Sequence, residues 1–415
     1  MHIQVESEIA EWLEASRRRC DMTVQQIPWR ASREWHFDGS SLHHESGRFF
    51  RVVGARRPGL PDQPLIDQHE IGILGFLLRR INGRTEICVQ AKPEPGNVNL
   101  VQIAPTVQAT ESNYQQVHHG LPTPLLKHFV SSNGNVVANS LQSEQGTRFL
   151  AKRNRNMVVE SNAHAENDLL EWFDINDVLR LLDRDFIVNT DARSVFAVSP
   201  WEFLVDAPFA RWENQEGFGN DLLQSYHSPG KLGDEEIEAT LASFYNGETE
   251  VVGLTDLRSW IMSGEAIQRS DGTGFQVRQF DVTTTQREVE HWDQPLMALD
   301  KPGKAILLCR MHKGVLEFGF RPRHEIGFLD GAQYGPAIQN DEEVPPSTLL
   351  LSCKHSDEGG RFFQCVADYE IRQIETLHDE DVVWMTLGQV ARLIQREGIF
   401  TNEARSLVSM LLTYL

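Results

Sequence analysis

Glu94-Pro-Gly96 and Pro105-Thr-Val-Gln108 return later in the same chain as Glu325-Ile-Gly327 and Pro336-Ala-Ile-Gln339, at one spacing of 231 residues (94 to 325, 105 to 336). Asp62-Gln-Pro-Leu65 returns as Asp293-Gln-Pro-Leu296, and Gly83 as Gly314, in the same register. Further on, Ser143-Glu-Gln-Gly-Thr-Arg-Phe149 matches Ser356-Asp-Glu-Gly-Gly-Arg-Phe362 at a spacing of 213 (143 to 356). Trp172, Arg180 and Ala192-Arg-Ser194 match Trp384, Arg392 and Ala404-Arg-Ser406 at 212 (172 to 384). A register held over such stretches marks a tandem duplication. The spacing shortens between Thr110 and Ser143, so the first copy carries additional chain there, including Ser112-Asn-Tyr114 and His118-His-Gly120.

Each copy reads as mixed sheet with flanking helices, an α+β layer domain. In the first, Glu6 to Arg19 has the spacing of an amphipathic helix, with Ile9, Trp12 and Leu13 on one face. Strand-like runs follow at Trp35-His-Phe37, Gly47 to Val53 and Ile71 to Leu78, and Asn82-Gly83 signals a tight hairpin into Thr85-Glu-Ile-Cys-Val89. Phe149 to Glu160 returns to strand. Leu169 to Leu182 reads as a helix with Trp172, Ile175, Val178, Leu179 and Leu182 on its apolar side. Glycines 217, 219, 230 and 233 with Pro229 place a linker at 208–234. The predicted domains are therefore 1–207 and 235–415, the second opening on a helix from Glu235 to Tyr245.

With 415 residues, of which 40% are hydrophobic and 24% charged, the chain has an ordinary globular composition. No run approaches the roughly eighteen apolar residues of a membrane span. Met-His-Ile-Gln-Val-Glu has neither the basic start nor the apolar core of a signal peptide, which predicts a cytoplasmic protein. Five cysteines without Cys-x-x-Cys spacing point to reduced, mostly buried thiols. A net charge of −20 repels nucleic acid and anionic lipid, so neither is an expected partner.

The chemistry concentrates where the copies differ. Gln90 to Tyr114 packs Lys92, Glu94, Asn97, Gln108, Thr110, Asn113 and Tyr114 among prolines and glycine, a polar set held on stiff turns at a strand end. In the second copy Lys92 becomes Arg323, Asn97 becomes Phe328 and Thr110 becomes Asp341, while Lys152-Arg-Asn-Arg-Asn156 becomes Cys365-Val-Ala-Asp-Tyr369. That pattern predicts one working pocket, in the first domain. Arg153 and Arg155, alternating with Asn154 and Asn156, are candidates to fork onto a diphosphate. Trp29 and Trp35 are candidates to stack a nucleobase. Arg193 and Arg405, kept in both copies, read as structural or interfacial.

These residues resemble a known family, the nucleotide-diphosphate-hexose 2,3-dehydratases of deoxysugar biosynthesis. The resemblance rests on Gln68-His-Glu-Ile-Gly-Ile-Leu-Gly75, Gln90 to Asn99, Ala104 to Tyr114, Leu141 to Gly146, Lys152 to Met157 and Val188 to Ser194. It extends over essentially the whole chain. One departure is in the second copy, where the family's Gln-Ala-Arg-x-Glu-Pro-Gly segment has become Arg321-Pro-Arg-His-Glu-Ile-Gly327. The resemblance implies two tandem Nudix-like domains, a homodimer, and a thymidine-diphospho-4-keto-6-deoxyglucose substrate. A Nudix hydrolase would need a Gly-x5-Glu-x7-Arg-Glu-x2-Glu-Glu helix for its metal, and no such pattern occurs. No metal site and no cofactor are expected.

Elimination from a 4-keto sugar needs a base for the acidified proton on carbon 3, a donor for the enolate oxygen, and an acid for the departing carbon-2 hydroxyl. Glu94 and His118 are candidates for the base. Tyr114 and Lys92 are candidates for the donor or the acid, and Glu144 is a further acid–base candidate. Asn97, Gln108, Thr110, Asn113, Gln145, Arg153, Arg155 and Asn156 are the expected substrate-binding residues. A nucleotide-sugar hydrolase and a non-catalytic nucleotide-sugar-binding protein are the competing readings.

Overall fold

A computed structural model describes residues 2–111, 122–130, 135–212, 217–244, 247–287, 289–328, 331–377 and 379–415. Its duplication is visible in two large mixed sheets. The first runs Asn135–Ser143, Arg153–Glu160, Gly72–Ile81, Arg84–Pro93, Leu170–Asp174, with Val101–Pro105 and Val107–Ala109 added on the two central strands. The second runs Thr348–Ser356, Val366–Gln373, Gly303–His312, Val315–Arg323, Val383–Thr386, with Gln333–Pro336 and Ile338–Gln339 in the corresponding places. In each, one parallel pair (Arg153–Glu160 on Gly72–Ile81, Val366–Gln373 on Gly303–His312) sits among antiparallel ones. The central hairpins turn at Asn82-Gly83 and Lys313-Gly314, where both residues take positive φ (52° and 75°, 51° and 81°). That left-handed pair matches the twist of the flanking strands.

Each copy also has a smaller sheet, and here the copies exchange strands. Thr23–Ile27, from the first copy, pairs antiparallel with Phe275–Thr283 of the second. Glu250–Val252, from the second, pairs with Arg51–Arg56 of the first. The helices that follow the large sheets, Thr190–Val198 and Asn402–Leu411, pack on each other. A single hydrophobic cluster accordingly joins Phe76, Val89 and Phe196 with Phe318, Leu407 and Met410. Every such element is a surface the other half buries, so separating the halves would expose apolar area and unpaired strand edges together.

Arg193 and Arg405 sit in this seam, fully buried. Arg193 donates to the Val188 and Leu182 carbonyls, at 3.0 and 2.7 Å. Arg405 donates to the Phe400 carbonyl at 2.6 Å and to Ser194 Oγ at 2.9 Å. A buried guanidinium is tolerated only when its donors are used, which is the case for both.

Three sequence expectations need correction. Leu169 to Leu182 is not one helix: Leu170–Asp174 is an edge strand on Arg84–Pro93, and helix begins at Ile175. Asp174 is the switch, its carboxylate accepting from the Asn176 N–H as a helix cap. The 3.6-residue apolar spacing was shared by a short strand and a short helix, an ambiguity of short apolar runs. Within 208–234, the Phe218–His227 helix is ordered and packs on Val315–Arg323, its Ser225 hydroxyl donating to the Leu316 carbonyl at 2.6 Å. And the pocket is not confined to the first copy.

Candidate active site

The glycine turns decide where the site lies. Gly96 donates its N–H to the Gly359 carbonyl (2.8 Å), and Gln364 donates to the Gly96 carbonyl (2.7 Å). A Cβ on Gly96 would come 1.6 Å from the Phe362 carbonyl oxygen, so only glycine permits this approach. Gly327 docks in the same way on Gly146 and Phe149. Each copy's Glu-x-Gly turn thus closes against the Gly-x-Arg-Phe loop of the other copy. Above the first of these junctions is a cavity of about 520 Å³.

The cavity's acidic end holds Glu94, Glu144 and Asp191, all buried, with Glu358 of the second copy. Glu94 follows the Arg84–Pro93 strand. Its Oε1 accepts from Gln108 Nε2 at 2.9 Å, while Oε2 is buried without a protein partner among the described residues. Burial, then the nearby Glu358 carboxylate, pushes its pKa up to about 7, against the pull of Lys92 and Arg287. Glu144 accepts from Asn154 Nδ2 (2.7 Å) and Asn402 Nδ2 (3.1 Å), and burial raises its pKa. Asp191 lies in the first turn of the Thr190–Val198 helix; burial, then Glu144, Glu358 and Glu94, raises it well above the ordinary carboxylate range.

Two lysines face these acids. Lys92 Nζ donates to the Gln108 carbonyl at 3.0 Å. Lys152 Nζ donates to the Glu70 carbonyl, and burial lowers its pKa to about 8. Aromatic and basic side chains complete the lining: Trp35, Phe49, Phe50 and Trp292, with Arg287 and Arg361. Arg361 sits over the Phe50 ring at 4.2 Å and reaches Gln68 Oε1 at 3.3 Å. Arg287 donates to the Pro93 carbonyl at 2.8 Å.

Of the residues expected from sequence, the structure brings Lys92, Glu94, Gln108, Thr110 and Glu144 to the cavity. Asn113, Tyr114 and His118 lie outside the described residues. Asn97 is buried in the turn beside the cavity, donating to the Leu100 carbonyl at 3.2 Å. Gln145 points to the second copy's Asp357 at 2.9 Å. The 152–156 strand faces the cavity through Lys152 and Asn154, with Asn156 buried below them. Arg153 and Arg155 are on its other face, Arg155 reaching Asn139 at 2.8 Å. Trp35 lines the cavity and Trp29 does not. Sequence reasoning missed Asp191, Arg287, Trp292, Glu358 and Arg361. Arg361 had one signal, its place in the repeated Gly-x-Arg-Phe motif.

The geometry can be set beside known proteins. Residues 6–198, 239–344 and 342–411 match the family described as NDP-hexose 2,3-dehydratase. The chain belongs to the NDP-hexose 2,3-dehydratase family. Three curated relatives within this family are named dTDP-4-dehydro-6-deoxy-alpha-D-glucopyranose 2,3-dehydratase. That of Saccharopolyspora spinosa is 34% identical over 96% of this chain and 90% of its own length. That of Streptomyces violaceoruber is 32% identical over 94% and 93%, and that of Amycolatopsis orientalis 30% over 98% and 90%. The dehydratase family resemblance read from the 68–194 motifs therefore holds for the chain at large. No helix among the described residues is long and apolar enough to cross a membrane.

Proposed function

We propose that this chain removes water across carbons 2 and 3 of a dTDP-4-keto-6-deoxyhexose, giving a dTDP-3,4-diketo-2,6-dideoxyhexose in deoxysugar biosynthesis. The observation that carries the reading is Glu94: a buried carboxylate with one oxygen held by Gln108, the other without a protein partner among the described residues, and a pKa near 7. A base matched to neutral pH is what abstraction from the carbon next to a ketone requires.

Glu94 takes the carbon-3 proton. The electron pair moves toward the carbon-4 carbonyl, where Lys92 and Lys152 stabilise the oxygen charge as it develops. The carbon-2 C–O bond then breaks, and Asp191 or Glu144, whose pKa burial raises, supplies the proton that turns the leaving hydroxyl into water. The resulting enol at carbon 3 becomes a ketone as its hydroxyl proton is lost and carbon 2 gains one from solvent. Carbon 2 is reduced and carbon 3 oxidised within one molecule, so atoms and electrons balance. Arg287 and Arg361 take the diphosphate, and the Trp35–Trp292 wall takes the thymine ring. A cytoplasmic homodimer completes the reading, checked for mass by light scattering.

The test is incubation with dTDP-4-keto-6-deoxyglucose in deuterated buffer containing EDTA, followed by mass spectrometry and NMR. Loss of one water with deuterium at carbon 2 is expected. Thymidine monophosphate released only after magnesium is restored would make the chain a hydrolase instead, and unchanged substrate would leave binding as its activity.

A further inference from the structure

We infer that Asn189, which no part of the elimination requires as a reactant, is a positioning residue that sets the orientation and protonation of Glu94 through Gln108. This inference rests on Glu94 being the base. The geometry is a chain of three hydrogen bonds with one allowed direction. Asn189 caps the Thr190–Val198 helix, and its Oδ1 accepts from the Ala192 N–H at 2.9 Å. A backbone N–H can only donate, so that end of the amide must be the oxygen. The other end, Nδ2, therefore donates to Gln108 Oε1, at 3.0 Å. With its oxygen occupied, Gln108 presents Nε2 to Glu94 Oε1, at 2.9 Å. The helix N-terminus thus dictates, two side chains away, that Glu94 receives a donor on one oxygen and keeps the other for substrate.

The second copy supplies the control. The cap there is Thr401, whose side chain accepts from the Ala404 N–H at 3.2 Å. Threonine caps the helix adequately, so capping alone does not call for asparagine. What the first copy adds is the amide donor, and it adds it where the chain leads to Glu94. Asn189 is buried and its own N–H is held by the Ile103 carbonyl at 2.9 Å, so the amide has little freedom to turn away.

Glu94 also faces Lys92 on the strand before it, Gln108 on Val107–Ala109, Asp191 on the helix, and Arg287, Glu358 and Arg361 from the second copy. Asn189→Thr leaves the charge around Glu94 unchanged, whereas Asn189→Asp adds a carboxylate whose own repulsion also raises the Glu94 midpoint, so the threonine variant isolates the hydrogen bonds. In Asn189→Asp the carboxylate accepts both from Ala192 and from Gln108 Nε2. Gln108 then turns its oxygen toward Glu94, which only a protonated Glu94 can satisfy. In Asn189→Thr the cap survives, as in the second copy, and the donor is lost.

The experiment follows the Glu94 carboxyl directly, by its carbon-13 NMR or infrared signal assigned from its absence in Glu94→Gln, alongside pH profiles of kcat/KM. In Asn189→Asp the Glu94 midpoint should rise by about one pH unit or more, with kcat/KM at pH 7 down roughly tenfold and its acid limb moved up in step. Asn189→Thr should show a smaller rise and a lower kcat at unchanged KM, and it decides the matter if Asn189→Asp does not fold. An unmoved Glu94 midpoint in Asn189→Thr and Asn189→Asp overturns the inference. A moved midpoint with an unmoved acid limb upholds the chain of hydrogen bonds and removes Glu94 from the role of base.

Discussion

The two glycine junctions are built alike and differ in what they enclose. At the first, Glu94 meets the Gly359 loop, Arg361 lies over Phe50, and Lys152, Asn154 and Asp191 surround a cavity. At the second, Glu325 meets the Gly146 loop and Arg148 lies over Phe275 at 4.3 Å. There the counterparts of Lys152 and Asn154 are Cys365 and Ala367, and Arg323, the counterpart of Lys92, spends its donors on Glu342 and the Pro336 and Ala337 carbonyls. Gly146 packs under the Phe328 ring, where its counterpart Gly359 packs under the smaller Asn97. Duplicated positions hold the architecture. The unshared ones, Lys92, Lys152 and Asn154, distinguish the junction that encloses a cavity.

The comparison breaks most directly at the paired glutamates. Glu94→Gln should lower kcat roughly 10²- to 10⁴-fold, the range for losing a general base, while Glu325→Gln leaves turnover near wild type. Stability should separate them from their surroundings too. Burial, then Glu403, raises the Glu325 pKa to about 8, so its protonated form is favoured by folding. The stability this contributes is complete below its ordinary value and is lost as pH rises through about 8. Thermal melts between pH 5 and pH 9 should therefore shift in favour of Glu325→Gln as pH rises, by on the order of 4 kcal/mol at most. A large loss of kcat in Glu325→Gln would erase the distinction between the junctions.

Exchanging one unshared residue sharpens it. Lys152→Cys installs the second copy's residue and should cost roughly 100-fold in kcat, as for loss of one oriented donor to a developing oxyanion. The reverse exchange, Cys365→Lys, buries an ammonium beside the Met297 carbonyl and should lower Tm without affecting KM. Equal kinetics for Lys152→Cys and wild type would remove the lysine from the chemistry. The smallest effect is expected at the paired arginines. Arg361→Lys loses the planar fork and should raise KM about tenfold at similar kcat, whereas Arg148→Lys changes Tm alone. Isothermal titration with the substrate separates the two.

Much was legible before any fold was known. Lys92 and Thr110 were recognisable because they change in the second copy of a duplicated turn, and Glu94, Gln108 and Glu144 because they lie in the same dense polar stretches of the repeat. Gln108 was read as a substrate ligand, yet Glu94 and Asn189 already occupy both ends of its amide. Arg153 and Arg155 were chosen for their charge. Strand alternation allowed either parity to face the site, and it is Lys152 and Asn154 that do. Leu169–Leu182 misled because an N-cap aspartate inside the run converts strand to helix without interrupting its apolar spacing.

The order of residues alone carried the duplication, the α+β character, the hairpin at Asn82-Gly83, and the family, since these depend on local periodicity and on internal register. It could not carry the partnership of Glu94 with Glu358, Arg287 and Arg361, residues more than 190 positions away. That partnership depends on exchanged first strands and on glycine turns that cross between copies, and contacts of such long range are fixed only when the shared core closes.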